Sequence, residues 1–325
     1  MSIKIKSWQQ ELTEGFNTPR DLCHFLDLPP DVSQLSPTFP VRVPYEFAAR
    51  MEKGNPNDPL LKQVLPTIDE TYDILGFKQD PVGDMAAMTE TGVIHKYQNR
   101  VLFIMTGSCA INCRYCFRRN FAYADVHLST QKITRAIEYV ANNKTISEVI
   151  LSGGDPLLLN DQKLTALFQQ FDKINHIKRI RIHTRIPIVL PSRITENLCH
   201  ILSDNNKQVV VVVHSNHQNE LNGKVKRACT QIKDQQITLL NQSVLLNGIN
   251  DTSEQLVALS EKLFTIGIIP YYLHLLDRAR GTAHFEVKQS EAIQLMDQIK
   301  QTLPGYLVPK LVREQAGATS KIIIA

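Results

Sequence analysis

The stretch "RVLFIMTGSCAINCRYCFRR", residues 100–119, decides how the rest of the chain is read. It opens with a short apolar run suited to a buried strand. It then passes straight into Cys109, Cys113 and Cys116, with Arg114, Arg118 and Arg119 among and after them. A strand that ends in reactive polar residues is the pattern of a parallel α/β sheet, where chemistry collects at the C-terminal strand ends.

The pattern repeats outward from there. Candidate strands are residues 100–105, 148–152, 179–184, 208–214, 243–246 and 269–276. The later ones run into polar segments, "SGGDP", "HTRIP", "HSNHQ", "NGIND" and "DRARGTAHF". Amphipathic stretches at 129–143, 160–174, 195–205, 220–235, 252–267 and 290–300 read as helices, and several open on Ser, Thr or Asn as N-caps. Strands alternating with helices predict an α/β fold with a parallel sheet. An open doubly wound sheet and a partial barrel both fit. Residues 1–95 hold much of the proline and short helical patterns, so a mostly helical N-terminal extension is expected, followed by a unit over 96–325.

Bulk properties exclude several classes. The 325 residues are 43% hydrophobic and 21% charged, with a net charge of +4 from 36 basic and 32 acidic residues. That excess is too slight to suggest nucleic-acid binding. No apolar run is long enough for a membrane span or a signal peptide. Six cysteines in such a chain do not form a disulfide framework, and a reducing, cytoplasmic setting is expected. Cys23, Cys199 and Cys229 read as buried core residues.

The clustered cysteines admit four readings. They could be structural thiols, although the arginines are expected to favour thiolates there. They could bind zinc, with His127 as fourth ligand. Cys113 and Cys116 could be a redox pair, which leaves Cys109 unused. They could also hold three irons of a cubane and leave the fourth open. An open iron can bind a chelating small molecule. Gly153 and Gly154 would then let backbone approach that ligand closely.

The motif Cys109-x3-Cys113-x-Tyr115-Cys116, followed by Gly153-Gly154-Asp155, resembles the radical S-adenosylmethionine (SAM) superfamily. Further stretches resemble its lysine 2,3-aminomutase family over residues 40–325: "HKYQNRVLFIM", "ILSGGDPL", "RIPIVLPSRIT", "NQSVLLNGIND", "PYYLHLLDRARGTAHF" and "LVREQAGATSK". The resemblance implies a partial (β/α)6 barrel, a [4Fe–4S] cluster on Cys109, Cys113 and Cys116, and S-adenosyl-L-methionine at Gly153 and Gly154. It implies pyridoxal 5′-phosphate (PLP) as a Schiff base on Lys321, in a short C-terminal segment, with Tyr97 and Arg100 beside it. Arg118 would take the substrate carboxylate, and Asp277 with Glu314 its ε-ammonium. Two positions depart from the family pattern: Lys96 stands where the family has arginine, and Glu314 where it has aspartate.

The implied reaction is radical transfer of the amino group of L-lysine from C2 to C3, giving (R)-β-lysine. The chain ends four residues after Lys321. It is therefore more similar to the short enzymes that supply β-lysine for modification of elongation factor P (EF-P) than to longer catabolic ones. Implied partners are an electron donor such as flavodoxin or ferredoxin, a β-lysine-transferring ligase and elongation factor P, with no nucleic acid or membrane. Alternatives are an aminomutase for another amino acid such as arginine, or a zinc-stabilised module binding RNA or a translation factor.

Overall fold

The computed structural model describes residues 6–29, 39–90, 92–123 and 130–325. His127, the candidate zinc ligand, lies outside the described residues. Among the described residues ten strands form one sheet in sequential order, β1 to β10. They are β1 Met88–Glu90, β2 Val93–Tyr97, β3 Arg100–Ile104, β4 Glu148–Ser152, β5 Arg179–Thr184, β6 Gln208–His214, β7 Thr238–Val244, β8 Ile269–His274, β9 Lys310–Arg313 and β10 Ile322–Ile323. Every neighbouring pair from β3 to β9 is parallel.

This order decides between the two architectures. A doubly wound sheet reverses its strand order at a switch point. Here each crossover steps to the next strand in the same direction. Right-handed connections then place the helices on one face and leave the other to curl inward. The fold is a partial barrel.

The strand sequences match this one-sided covering. In β5, "RIRIHT", Ile180 and Ile182 are buried in the core beneath the helices, while Arg181 and His183 line the lumen. Apolar residues of the outer face join helix residues such as Leu164 and Phe168 in one core. The helices begin where N-caps were expected. Asn160, Thr195 and Thr252 accept from the backbone N–H of Lys163, Leu198 and Gln255.

Three differences from expectation have physical causes. The fifth strand is Thr238–Val244, not 243–246. Its polar Asn241 and Ser243 disguise it: they are buried on the outer face, where Asn241 accepts from Ser215 N at 3.0 Å and donates to Ser243 Oγ at 2.8 Å. A seventh parallel strand, β9, lies beside β8 and carries the chain to Glu314. Finally, two strands cross the expected boundary at residue 96: β1 lies before it and β2 runs through it, with β1 antiparallel to β2 and β2 antiparallel to β3. The N-terminal region also shares the main core, through Leu22, Phe47 and Leu60 among others.

A segment around residues 68–85 crosses the barrel mouth. Lys78 pairs with the loop after β8, its N–H donating to Arg278 O at 2.9 Å and its carbonyl accepting from Arg280 N at 2.9 Å. This strap carries Glu70 and Asp84 to the strand ends.

Candidate active site

The lumen opens at the C-terminal strand ends into a cavity of about 450 Å³. Cys109, Cys113, Cys116, Gly153 and Gly154 line one part of it, and Tyr97, Arg100, Arg118, Asp277, Glu314 and Lys321 line the rest. Apart from His127, every site residue expected from the sequence therefore lines one cavity, although they are scattered from position 97 to 321.

The cysteine loop leaves β3 and is clamped from outside. Arg114 is fully buried; its Nε donates to Glu70 at 2.7 Å. Arg119 Nη2 donates to the same carboxylate at 2.5 Å. Both guanidinium groups lie over the Phe39 ring. On the inner side, Arg185 Nη1 donates to Cys113 Sγ at 2.7 Å, and its Nη2 is held by Gln63 at 2.6 Å and Glu220 at 3.0 Å.

These pairings overturn the expected thiol chemistry. The arginines were expected to favour thiolates, but Glu70, shared by Arg114 and Arg119, and Asp84 on Arg118 offset two of their three charges. Burial dominates instead: it pushes the Cys109 thiol well up and the Cys116 thiol to about 11. Metal binding would release those protons. Among the described residues no group of three or more His, Cys, Asp or Glu closes on a single metal ion.

The glycines also have a local purpose within the fold. Gly153 has φ +112°, and a side chain at Gly154 would lie 2.2 Å from Ser108 O. The space beside both is filled by backbone of residues 104–108, so they seat the β4 loop directly on the cysteine loop. Asp155 locks this joint by accepting from Thr184 Oγ1 and Arg185 N, each at 2.7 Å. Burial raises its carboxyl to about 6 against those bonds.

At the other end, Lys321 Nζ lies 2.6 Å from Glu314 Oε2. Tyr97 donates to Glu314 Oε1 at 2.9 Å. The Arg100 guanidinium sits 4.3 Å from the centre of the Tyr97 ring. Among the described residues Asp277 makes no such direct pair, and burial raises its carboxyl to about 7. Arg118 Nε donates to Asp84 Oδ2 at 2.7 Å and its Nη1 to Ser152 Oγ at 3.2 Å.

Sequence reasoning missed Asp84, Glu70 and three imidazoles. His183, His214 and His274 line the same cavity, and the Nε2 of each is buried without a partner. Burial lowers all three, His214 to about 3, so they are neutral at pH 7. Their positions were visible at successive predicted strand ends. Nothing local marked Asp84 or Glu70, whose partners are remote in sequence.

Comparison with known proteins decides the family. The Radical SAM superfamily profile matches residues 103–259. The L-lysine 2,3-aminomutase of Buchnera aphidicola is 44% identical over 98% of this chain and 95% of its own length. That of Escherichia coli K12 is 44% identical over 97% and 94%. The chain belongs to the lysine 2,3-aminomutase family of radical SAM enzymes. The Clostridium subterminale enzyme of the same name is 32% identical, covering 97% of this chain and 76% of its own. Streptococcus suis SuiB bound to S-adenosylmethionine has a TM-score of 0.49 at 16% identity, covering 71% of this chain and 53% of that one.

Membership makes the chain an isomerase and replaces the zinc-module alternative. It also implies an iron–sulfur cluster and S-adenosylmethionine. The donor set fits: three thiols share one loop and act electrostatically on one another, and thiolates are the usual ligands of such clusters.

The loop-on-loop contact is testable. Gly154→Ala forces a methyl into backbone and is expected to cost about 1–3 kcal/mol. Denaturant unfolding and iron content after anaerobic reconstitution should both fall; unchanged values would show that the joint tolerates a side chain.

Proposed function

We propose that this chain converts L-lysine to (R)-β-lysine, using a [4Fe–4S] cluster on Cys109, Cys113 and Cys116, S-adenosyl-L-methionine beside Gly153 and Gly154, and pyridoxal phosphate on Lys321. One observation carries the substrate assignment. A single cavity is lined by a guanidinium, Arg118, and by two carboxylates, Asp277 and Glu314, that lie near Lys321. An α-amino acid with a terminal cation matches that distribution. Arg118 keeps its Nη2 hydrogens unengaged by other side chains, which suits a carboxylate.

The cavity also fits a polar cofactor. Three unpartnered imidazoles inside it call for polar ligand atoms. Lys321, Tyr97 and Arg100 would hold pyridoxal phosphate, which when bound stabilises an amino group in migration. The chain's own residues would orient the amino acid, hold its two charged ends and exclude water.

The wider pathway belongs to the same proposal. Identity is 44% to relatives matched over nearly their whole length, against 32% to one matched over about three quarters. From the resemblance to the short enzymes, the proposed role is to supply β-lysine to a ligase that modifies elongation factor P, with reduction by flavodoxin or ferredoxin. All six cysteines are free, which is consistent with a reducing cytoplasm. Among the described residues no helix is long and apolar enough to cross a membrane.

Three measurements test this reading. Anaerobically reconstituted protein given isotopically labelled L-lysine should yield labelled β-lysine by mass analysis; turnover of labelled arginine instead would redirect the assignment. Lys321→Ala should keep its iron but lose pyridoxal absorbance and activity, and normal turnover would refute the Schiff-base role. The pH dependence follows from Asp277. Its carboxyl is neutral below about pH 7 and charged above it, and only the charged form attracts an ammonium. Affinity for L-lysine should therefore rise as the pH climbs through about 7, and Asp277→Asn should weaken binding and flatten that rise.

A further inference from the structure

The two charged ends of the cavity are joined to each other. Asp84 Oδ2 accepts from Arg118 Nε at 2.7 Å, and Asp84 Oδ1 lies 2.6 Å from Lys96 Nζ. Lys96 Nζ also reaches Glu314 Oε1 at 3.4 Å and donates to Val82 O at 2.8 Å. Arg118, Asp84, Lys96 and Glu314 therefore form one line of alternating charge, drawn from the cysteine loop, the strap, β2 and the end of β9. Their side chains are only 7%, 3%, 15% and 11% exposed.

Lys96 is fully committed in this line. An ammonium has three N–H donors, and here three oxygens surround it: Val82 O, Asp84 Oδ1 and Glu314 Oε1. It has no donor left for a substrate or cofactor. Asp84 gives one oxygen to each cation. Both residues line the cavity, but their charged atoms are turned to each other and to the proposed substrate-binding groups Arg118 and Glu314.

We propose that Asp84 and Lys96 are positioning residues that act as a strut, fixing the span between Arg118 and Glu314 and so making the enzyme selective for the chain length of its cationic amino acid. This rests on the preceding assignment of Arg118 to the carboxylate and Glu314 to the ammonium. With the span fixed, L-ornithine, one methylene shorter than L-lysine, cannot pair both ends at once. It leaves a charged group unpaired in a buried site, which should weaken binding roughly ten- to a hundredfold. Without the strut, Arg118 and Glu314 can shift independently and that discrimination fades.

The test uses the reconstituted holoenzyme and compares L-lysine with L-ornithine, by calorimetric binding and by KM and kcat. Wild type should prefer lysine. Lys96→Ala should reduce the lysine-to-ornithine preference about tenfold or more, mainly through KM, with iron and pyridoxal content unchanged. Lys96→Arg keeps the charge and should recover part of the preference. Asp84→Asn keeps the size of the side chain and an acceptor for Arg118, and should also lower the preference; it decides the matter if Lys96→Ala fails to load its cofactors. Variants that load normally and keep the wild-type preference overturn the strut alone. A wild type that binds neither amino acid overturns the lysine assignment and the strut together.

Discussion

Glu314 accepts from Lys96, Tyr97 and Lys321 at once, and the mouth of the barrel is arranged to keep that buried negative charge paired. Burial alone would push its carboxyl up. The neighbouring cations, Lys321 first, outweigh burial and hold it below the usual range. Asp84 behaves the same way between Arg118 and Lys96. Among the described residues Asp277 has no direct partner, and there burial wins. Carboxylates in one cavity thus divide by whether a cation touches them. The unpaired one is the group whose charge an incoming cation would restore.

The same requirement explains the N-terminal region. The cysteine loop carries three arginines, and none of their main counter-charges comes from the barrel strands. Glu70 meets Arg114 and Arg119, and Asp84 meets Arg118. Gln63 and Glu220 together hold Arg185 against Cys113. A barrel without residues 63–84 would leave these guanidinium groups buried and largely unpaired, which is strongly destabilising. Those residues are part of the site and of the core, whatever their irregular sequence suggests.

What could be read from the sequence follows the range of the interactions involved. β4, β5 and β6 were placed at their observed bounds, because a strand covered by helices shows its apolar face locally. The three cysteines were legible because they lie within eight positions. β7 was shifted by its buried asparagine and serine, and β9 was missed because a four-residue strand has little local signal. Glu70 and Asp84 were missed for a related reason. Asp84 meets Arg118 across 34 positions, and Lys96 meets Glu314 across 218. No periodicity reports a pairing of that length. Resemblance located Lys321 and Asp277, but only coordinates give Asp84 its neighbours.

The two departures from the family pattern fall on one contact. Where the family resemblance implies an arginine and an aspartate, this chain has Lys96 and Glu314, which lie 3.4 Å apart. Each substitution alone would disturb a buried ion pair. A lysine in place of a guanidinium loses two donors and the planar fork. A glutamate in place of an aspartate extends the carboxylate by a methylene. Together they fit, since the point charge of Lys96 is satisfied by three oxygens and the longer Glu314 reaches Lys96, Tyr97 and Lys321 at the same time. The net charge of the pair is kept while its geometry changes. On the proposed reading, the ammonium side of the cavity is a different arrangement that meets the same electrostatic requirement, and selectivity would rest on the pair rather than on either residue alone.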